Sequence, residues 1–298
     1  MLAGSLTGVS DQLSALPDEV TLSNSGLVAA LSRDRFTSSG VVLSVDGIAQ
    51  SQVNPEDPTD LQFEYIRRIG HLIDLFRPEG SPITAVHLGA GALSVPRYVS
   101  HTRPGSRSQV LEWEPQLIEL VRKHIPWDAK WSIRVRYGDA RDTLDTLPEG
   151  LHGQVDVIVV DLFSGNSTPA HLTTLEFYEA MRPLLRPDGM VVINVVDGRP
   201  QAFTRSQCAT LTEVFGFVGL TGESGVVRGR RFGNVVLVAT VAEGEPAWWS
   251  GLQRLGPHPT SVLSGPSLTR FIAHAPVQTD AQKIASPKLG QGFFGSQG

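Results

Sequence analysis

The residues able to do chemistry fall at regular intervals. Gly89-Ala90-Gly91 follows the apolar run Ile83-Thr84-Ala85-Val86-His87-Leu88, and Glu112 closes the next apolar run some twenty residues later. A strand that breaks at glycine and opens a helix presents bare backbone N–H groups to a closely bound ligand. A carboxylate at the tip of the following strand can grip two ribose hydroxyls. The pair points to an adenosine-type cofactor, although GxG also occurs in plain turns. Two more strand ends carry acids. Gly138-Asp139-Ala140 suits a hydrogen bond to an adenine amino group, and Asp139 equally suits the N-cap of the helix that follows. Asp161, ahead of Leu162-Phe163-Ser164, ends the apolar run Val155-Asp156-Val157-Ile158-Val159-Val160. A carboxylate at the end of so buried a strand needs a partner or a task.

Elements that could position these groups follow from the pattern. Strands are expected at 83–88, 107–112, 132–137, 155–161 and 190–196, alternating with helices at 94–102, 115–124, 140–147, 170–185 and 202–215. An antiparallel pair at 216–222 and 232–241 closes the sheet. Continuous apolar strands suit the middle of a parallel sheet covered on both faces. The fold class is α/β: a doubly wound, mostly parallel sheet of seven strands, Rossmann-like. Leu61, Tyr65, Ile69, Leu72, Ile73 and Phe76 repeat at helical spacing after Asp57-Pro58-Thr59-Asp60, which read as the helix start. Ahead of it, 26–31 and 41–45 read as a small β-hairpin region, with a tight turn at Asp46-Gly47. The domain reading is 1–20 disordered, 21–60 an N-terminal β region, 61–242 the nucleoside-binding domain. Residues 243–298, rich in Gly, Pro and Ser, read as a tail packed on that domain and anchored by Trp248-Trp249.

Composition narrows the classes. Lys and Arg number 25 against 30 Asp and Glu, a net charge of −5. A nucleic-acid footprint is normally strongly basic, so none is expected. No apolar stretch approaches the ~20 residues of a membrane span, and no leader is visible at the N-terminus. The one cysteine, Cys208, cannot form an internal disulfide, which suits a reducing, cytoplasmic setting. The eight histidines include no HxxxH-type pair, so no metal site is expected. Arg228, Arg230 and Arg231 read as a solvated hairpin tip.

The order GxG, acid, GDA, VDVIVVD resembles the class I S-adenosylmethionine-binding fold. Within it, Leu43-Ser44-Val45-Asp46-Gly47-Ile48-Ala49-Gln50 resembles the LxLDGxxQ hairpin of the spermidine synthase (polyamine aminopropyltransferase) family. The resemblance covers roughly 26–241. It implies that Gly89, Gly91 and Glu112 bind the nucleoside and that Asp139 and Ala140 bind adenine. It implies that Asp161, with Leu162 beside it, meets the cofactor and acts as general base, and that Gln50 lies near the amine. Tyr65 and Ser164 are the expected hydrogen-bond partners on the substrate side. The implied co-substrate is decarboxylated S-adenosylmethionine, or S-adenosylmethionine itself, and the implied partner is a di- or polyamine. The resemblance also implies a homodimer or homotetramer. Two positions and one segment depart from the family pattern: Ala92 and Ser164 replace aspartates, and Phe63-Glu64-Tyr65 aligns loosely with a Tyr-His/Gln-Glu segment. The alternatives are a methyltransferase on the same scaffold, or a nucleoside-binding homologue without turnover.

Overall fold

The computed structural model describes residues 13–164, 167–284 and 286–288. Near the N-terminus lies a four-stranded antiparallel sheet, β1 (Asp18–Thr21), β2 (Val28–Arg33), β3 (Val41–Val45) and β4 (Ile48–Val53), in sequential order. Strand β3 alternates: Val41, Leu43 and Val45 are buried while Val42 and Ser44 are partly exposed. One face is therefore apolar, and it packs with Leu93, Ile118 and Val121 of the main domain. Asp46 and Gly47 both have positive φ, 47° and 76°, as the tight hairpin turns that match strand twist require. Two expectations are corrected here. The hairpin region gains outer strands β1 and β4, and residues 13–20, expected to be disordered, are placed in the fold, with Leu13 buried and β1 starting at Asp18. The part of that expectation covering residues 1–12 lies outside the described residues.

The main sheet alternates with helices α1 (Glu64–Phe76), α2 (Ser94–Thr102), α3 (Pro115–His124), α4 (Ala140–Leu144), α5 (Leu175–Met181) and α6 (Ala202–Val214). Its strands are β5 (Thr84–Leu88), β6 (Arg107–Glu112), β7 (Ser132–Tyr137), β8 (Val155–Val160), β9 (Leu185–Asp197), β10 (Phe217–Glu223), β11 (Gly233–Thr240) and β12 (Thr260–Ser264). The spatial order is β12-β10-β11-β9-β8-β5-β6-β7. Strands β9, β8, β5, β6 and β7 are parallel, and β11, β10 and β12 add antiparallel edges. The sequence reading counts seven strands; the eighth is β12, which the tail contributes beside β10. Every residue of β8 is buried, as a central strand with helices on both faces must be. Trp249 is 2% exposed, with Phe217 edge-on at 5.2 Å between ring centroids.

Two helix expectations shift. Helix α1 starts at Glu64, because Asp57 spends its carboxylate on the Thr59 N–H and hydroxyl in a local turn. The long helix expected over 170–185 is broken. Thr174 caps α5 by accepting from Phe177 N–H, and Leu185 already begins β9.

Candidate active site

Register brings the acids together. Leu88 pairs with Leu111 on one side and with Val160 on the other. The next residues of those three strands, Gly89, Glu112 and Asp161, therefore share one row at the carboxyl edge. Strand β5 runs on to β6 and β7 on one flank, while β8 lies on the other. That gap between β5 and β8 is the topological switch point, where open α/β sheets bind ligands. A cavity of about 320 Å³ opens there, lined by Gln50, Gly89, Gly91, Glu112, Asp139, Ala140, Asp161, Leu162 and Ser164. Tyr65 reaches the same place through its hydroxyl, which donates to Asp161 Oδ2 at 3.0 Å.

The glycine turn is dictated by space. Gly89 has φ +89°, and a Cβ on it would stand 2.2 Å from the Asp161 carbonyl oxygen. Gly91 has φ +50°, and a Cβ there would press on Ser51 of β4 at 3.2 Å. The N-terminal sheet thus seats directly on the turn. It is fastened at a second point, where Asn24 and Ser25 N–H donate to the Glu114 carboxylate at 3.0 and 2.7 Å.

Glu112 is 9% exposed. Its Oε2 accepts from Ala90 N–H and its Oε1 from Glu114 N–H, both at 2.9 Å. Burial raises its pKa above the ordinary carboxylate range, and these backbone donors pull it back. A carboxylate offers roughly four lone-pair directions, so each oxygen keeps capacity for a further donor. Asp139 does two things. Its Oδ1 caps α4 through Arg141 N–H at 2.9 Å, and its Oδ2 meets His171 Nε2 at 2.8 Å. Asp139 is thus the helix cap and also lines the cavity.

Asp161 is part-buried, with Asn194 Nδ2 donating to Oδ1 at 2.8 Å and Tyr65 on Oδ2. Asn194 is itself oriented by Asn234 Nδ2, which donates to its Oδ1 at 2.9 Å. Burial raises the Asp161 pKa, and the Asn194 and Tyr65 donations lower it. The Tyr65 hydroxyl is pushed well above its ordinary pKa, first by burial and then by Asp161, so it stays a donor. The result is a partly desolvated carboxylate with both oxygens held by hydrogen bonds. Such a group can accept a proton or face a cation.

Ser164 lines the cavity but makes no hydrogen bond to Asp161; its backbone N–H goes to Ser167 O at 2.9 Å. Asn194 takes the partner role instead. Sequence reasoning passed it over, though a lone amide inside Met190-Val191-Val192-Ile193-Asn194-Val195-Val196 is a detectable signal. His171 lines the cavity, as does Trp113, which is 42% exposed. Asp197 accepts from the Thr204 N–H and hydroxyl in the first turn of α6, both at 2.8 Å. Among the described residues, no cluster of His, Cys, Asp and Glu could hold a metal. No helix among them is long and apolar enough to cross a membrane.

The mostly parallel sheet with a small antiparallel sheet ahead of it is an α/β fold of methyltransferase-like type. A probable spermidine synthase from Corynebacterium glutamicum superposes with a TM-score of 0.80 at 26% identity, covering 92% of this chain and 99% of that one. In sequence, a polyamine aminopropyltransferase from Vibrio vulnificus is 31% identical over 164 residues, 54% of this chain and 52% of the relative. An eEF1A lysine and N-terminal methyltransferase from Danio rerio is 26% identical over 180 residues, 58% of this chain and 25% of the relative. These matches span about half, or less, of the curated relatives' own lengths. No family model matches the chain. The chain is thus similar, at low identity, to spermidine synthases and aminopropyltransferases, and these relatives are transferases.

Proposed function

We propose that the cavity binds an adenosyl sulfonium and that the protein transfers its alkyl group to an amine, with Asp161 as the base. In the first form of this reading the donor is decarboxylated S-adenosylmethionine and the aminopropyl group moves. The amine lone pair attacks the propyl carbon next to sulfur. The C–S bond breaks with its electron pair going to sulfur, and neutral methylthioadenosine leaves. The new ammonium then gives its proton to Asp161. The reactive bond belongs to the sulfonium, so the protein's part is alignment and proton transfer.

The observation that carries the reading is the placement of Asp161. It stands one residue past Val160, against the glycine turn, with both oxygens steered by Tyr65 and Asn194. An alkylamine has a pKa near 10.4, so freeing its lone pair at pH 7 costs about 4.6 kcal/mol. Burial beside a sulfonium disfavours the ammonium and reduces that cost. A carboxylate with a raised pKa is a better proton acceptor than an ordinary one.

A methyltransferase is the second reading, favoured by the Danio rerio relative. Calorimetry separates the two. The decarboxylated donor is expected to bind more tightly than intact S-adenosylmethionine, and a clear preference for the intact form would overturn the first reading in favour of the second.

The pH profile gives an independent check. The base works only when ionised, so kcat/KM falls as pH drops through the Asp161 pKa. That limb should lie above the ordinary aspartate value of 3.8, because burial raises the pKa. Tyr65→Phe removes a donor that lowers it, so the acid limb should move to higher pH in the variant. A limb that stays put would mean that another group titrates.

A further inference from the structure

Among the described residues that line the cavity, Asp161 is the one carboxylate on its own side of β5. From Asp161 to Leu172 the chain reads DLFSGNSTPAHL, in which Asp161 is the one acid. Gln50, Leu162, Phe163 and Ser164 line that side and are uncharged. Ala92 is fully buried in the core behind the glycine turn, so it brings no charge either. The remaining acids of the cavity are Glu112, Glu114 and Asp139. They belong to the ends of β6 and β7, on the opposite flank of β5 from Asp161. Neighbouring strands lie about 4.8 Å apart, so Glu112 is about 10 Å away across the sheet. Glu114 and Asp139 are already engaged, by Asn24 and Ser25 N–H and by Arg141 N–H and His171.

An ammonium taken out of water needs a counter-charge. Asp161 can supply one, and the attacking nitrogen needs it. A second ammonium on the acceptor would have none, with a sulfonium nearby to repel it. We infer that the acceptor carries one amine, the one that attacks, and that the rest of it is uncharged. This rests on the proposed transfer reaction, whose bond changes are those written above, and it narrows the substrate class from diamines to monoamines.

Butylamine and putrescine test it as probes of equal chain length, with decarboxylated S-adenosylmethionine as donor and methylthioadenosine release as readout. Butylamine should match or exceed putrescine in kcat/KM. Gln50→Glu adds a carboxylate on that side with little change of shape, and it should raise the putrescine-to-butylamine ratio at least tenfold. A native preference for putrescine above tenfold, or a ratio unmoved by Gln50→Glu, overturns the inference. If neither amine turns over, the transfer reading fails by itself. Calorimetric binding of the two amines to the methylthioadenosine-loaded protein then still decides the charge question. Binding of butylamine at least as tight as that of putrescine supports the inference, and tenfold tighter putrescine binding ends it.

Discussion

Asp161→Asn is expected to lower turnover by about 10²- to 10⁴-fold, the range that a positioned general base contributes. The substitution is nearly isosteric, and its effect on structure should be small. Asn194 Nδ2 can still donate to the new amide oxygen. The Tyr65 hydroxyl, now facing an NH₂ group, can turn and accept from it, since a phenol does both. Affinity for methylthioadenosine should stay within about tenfold of native, roughly 1.4 kcal/mol, because that product is a neutral thioether. The sulfonium donor should lose more, having lost a facing charge. Steady-state kinetics with calorimetry on both ligands reads all three effects. Unchanged turnover would refute the base assignment. Loss of turnover together with loss of methylthioadenosine binding would instead point to a collapsed site.

Much of this arrangement is legible in the chain. The apolar runs that end in Gly89, Glu112 and Asp161 fix three parallel strands, and parallel register then aligns their last residues without further information. The hairpin at Asp46-Gly47 is written in the two residues that tolerate positive φ. What resists reading has local causes. Thr260–Ser264 is a short strand with Pro257 and Pro259 before it and Gly265-Pro266 after it, a setting that reads as loop. It becomes a strand only because the edge of β10 has unpaired backbone groups for it to meet. Strand β4, Ile-Ala-Gln-Ser-Gln-Val, is too polar to stand out, because its buried Ser51 packs on the glycine turn and bonds Ser94 Oγ at 2.8 Å. The helix expected over 170–185 reads as one amphipathic stretch, and neither the Thr174 cap nor the early start of β9 is visible in periodicity. Asn194 is hidden for a different reason. In a strand buried on both faces every side chain meets protein, so the pattern does not tell which residue faces the site.

Glu112→Gln carries the second large expected effect, on affinity and not on chemistry. Both Glu112 oxygens accept a backbone N–H, from Ala90 and from Glu114. A glutamine keeps one oxygen for that purpose and turns an NH₂ group toward the other N–H, so one backbone donor loses its acceptor. On the ligand side, a charged acceptor for a ribose hydroxyl becomes a donor. A hydrogen bond to a charged group is worth about 1.5–3 kcal/mol, so methylthioadenosine affinity should fall roughly tenfold to a hundredfold. The loss should also depend on the sugar. If Glu112 grips both hydroxyls, a 2′-deoxy analogue should bind the native protein as weakly as the riboside binds the variant, and the variant should discriminate little between them. Calorimetry on the four combinations forms a double-mutant cycle in which the coupling is the carboxylate–ribose interaction. Equal losses for the riboside and the deoxy analogue would show that Glu112 serves only to hold the Ala90 and Glu114 backbone, and would remove the ribose contact from the proposed site.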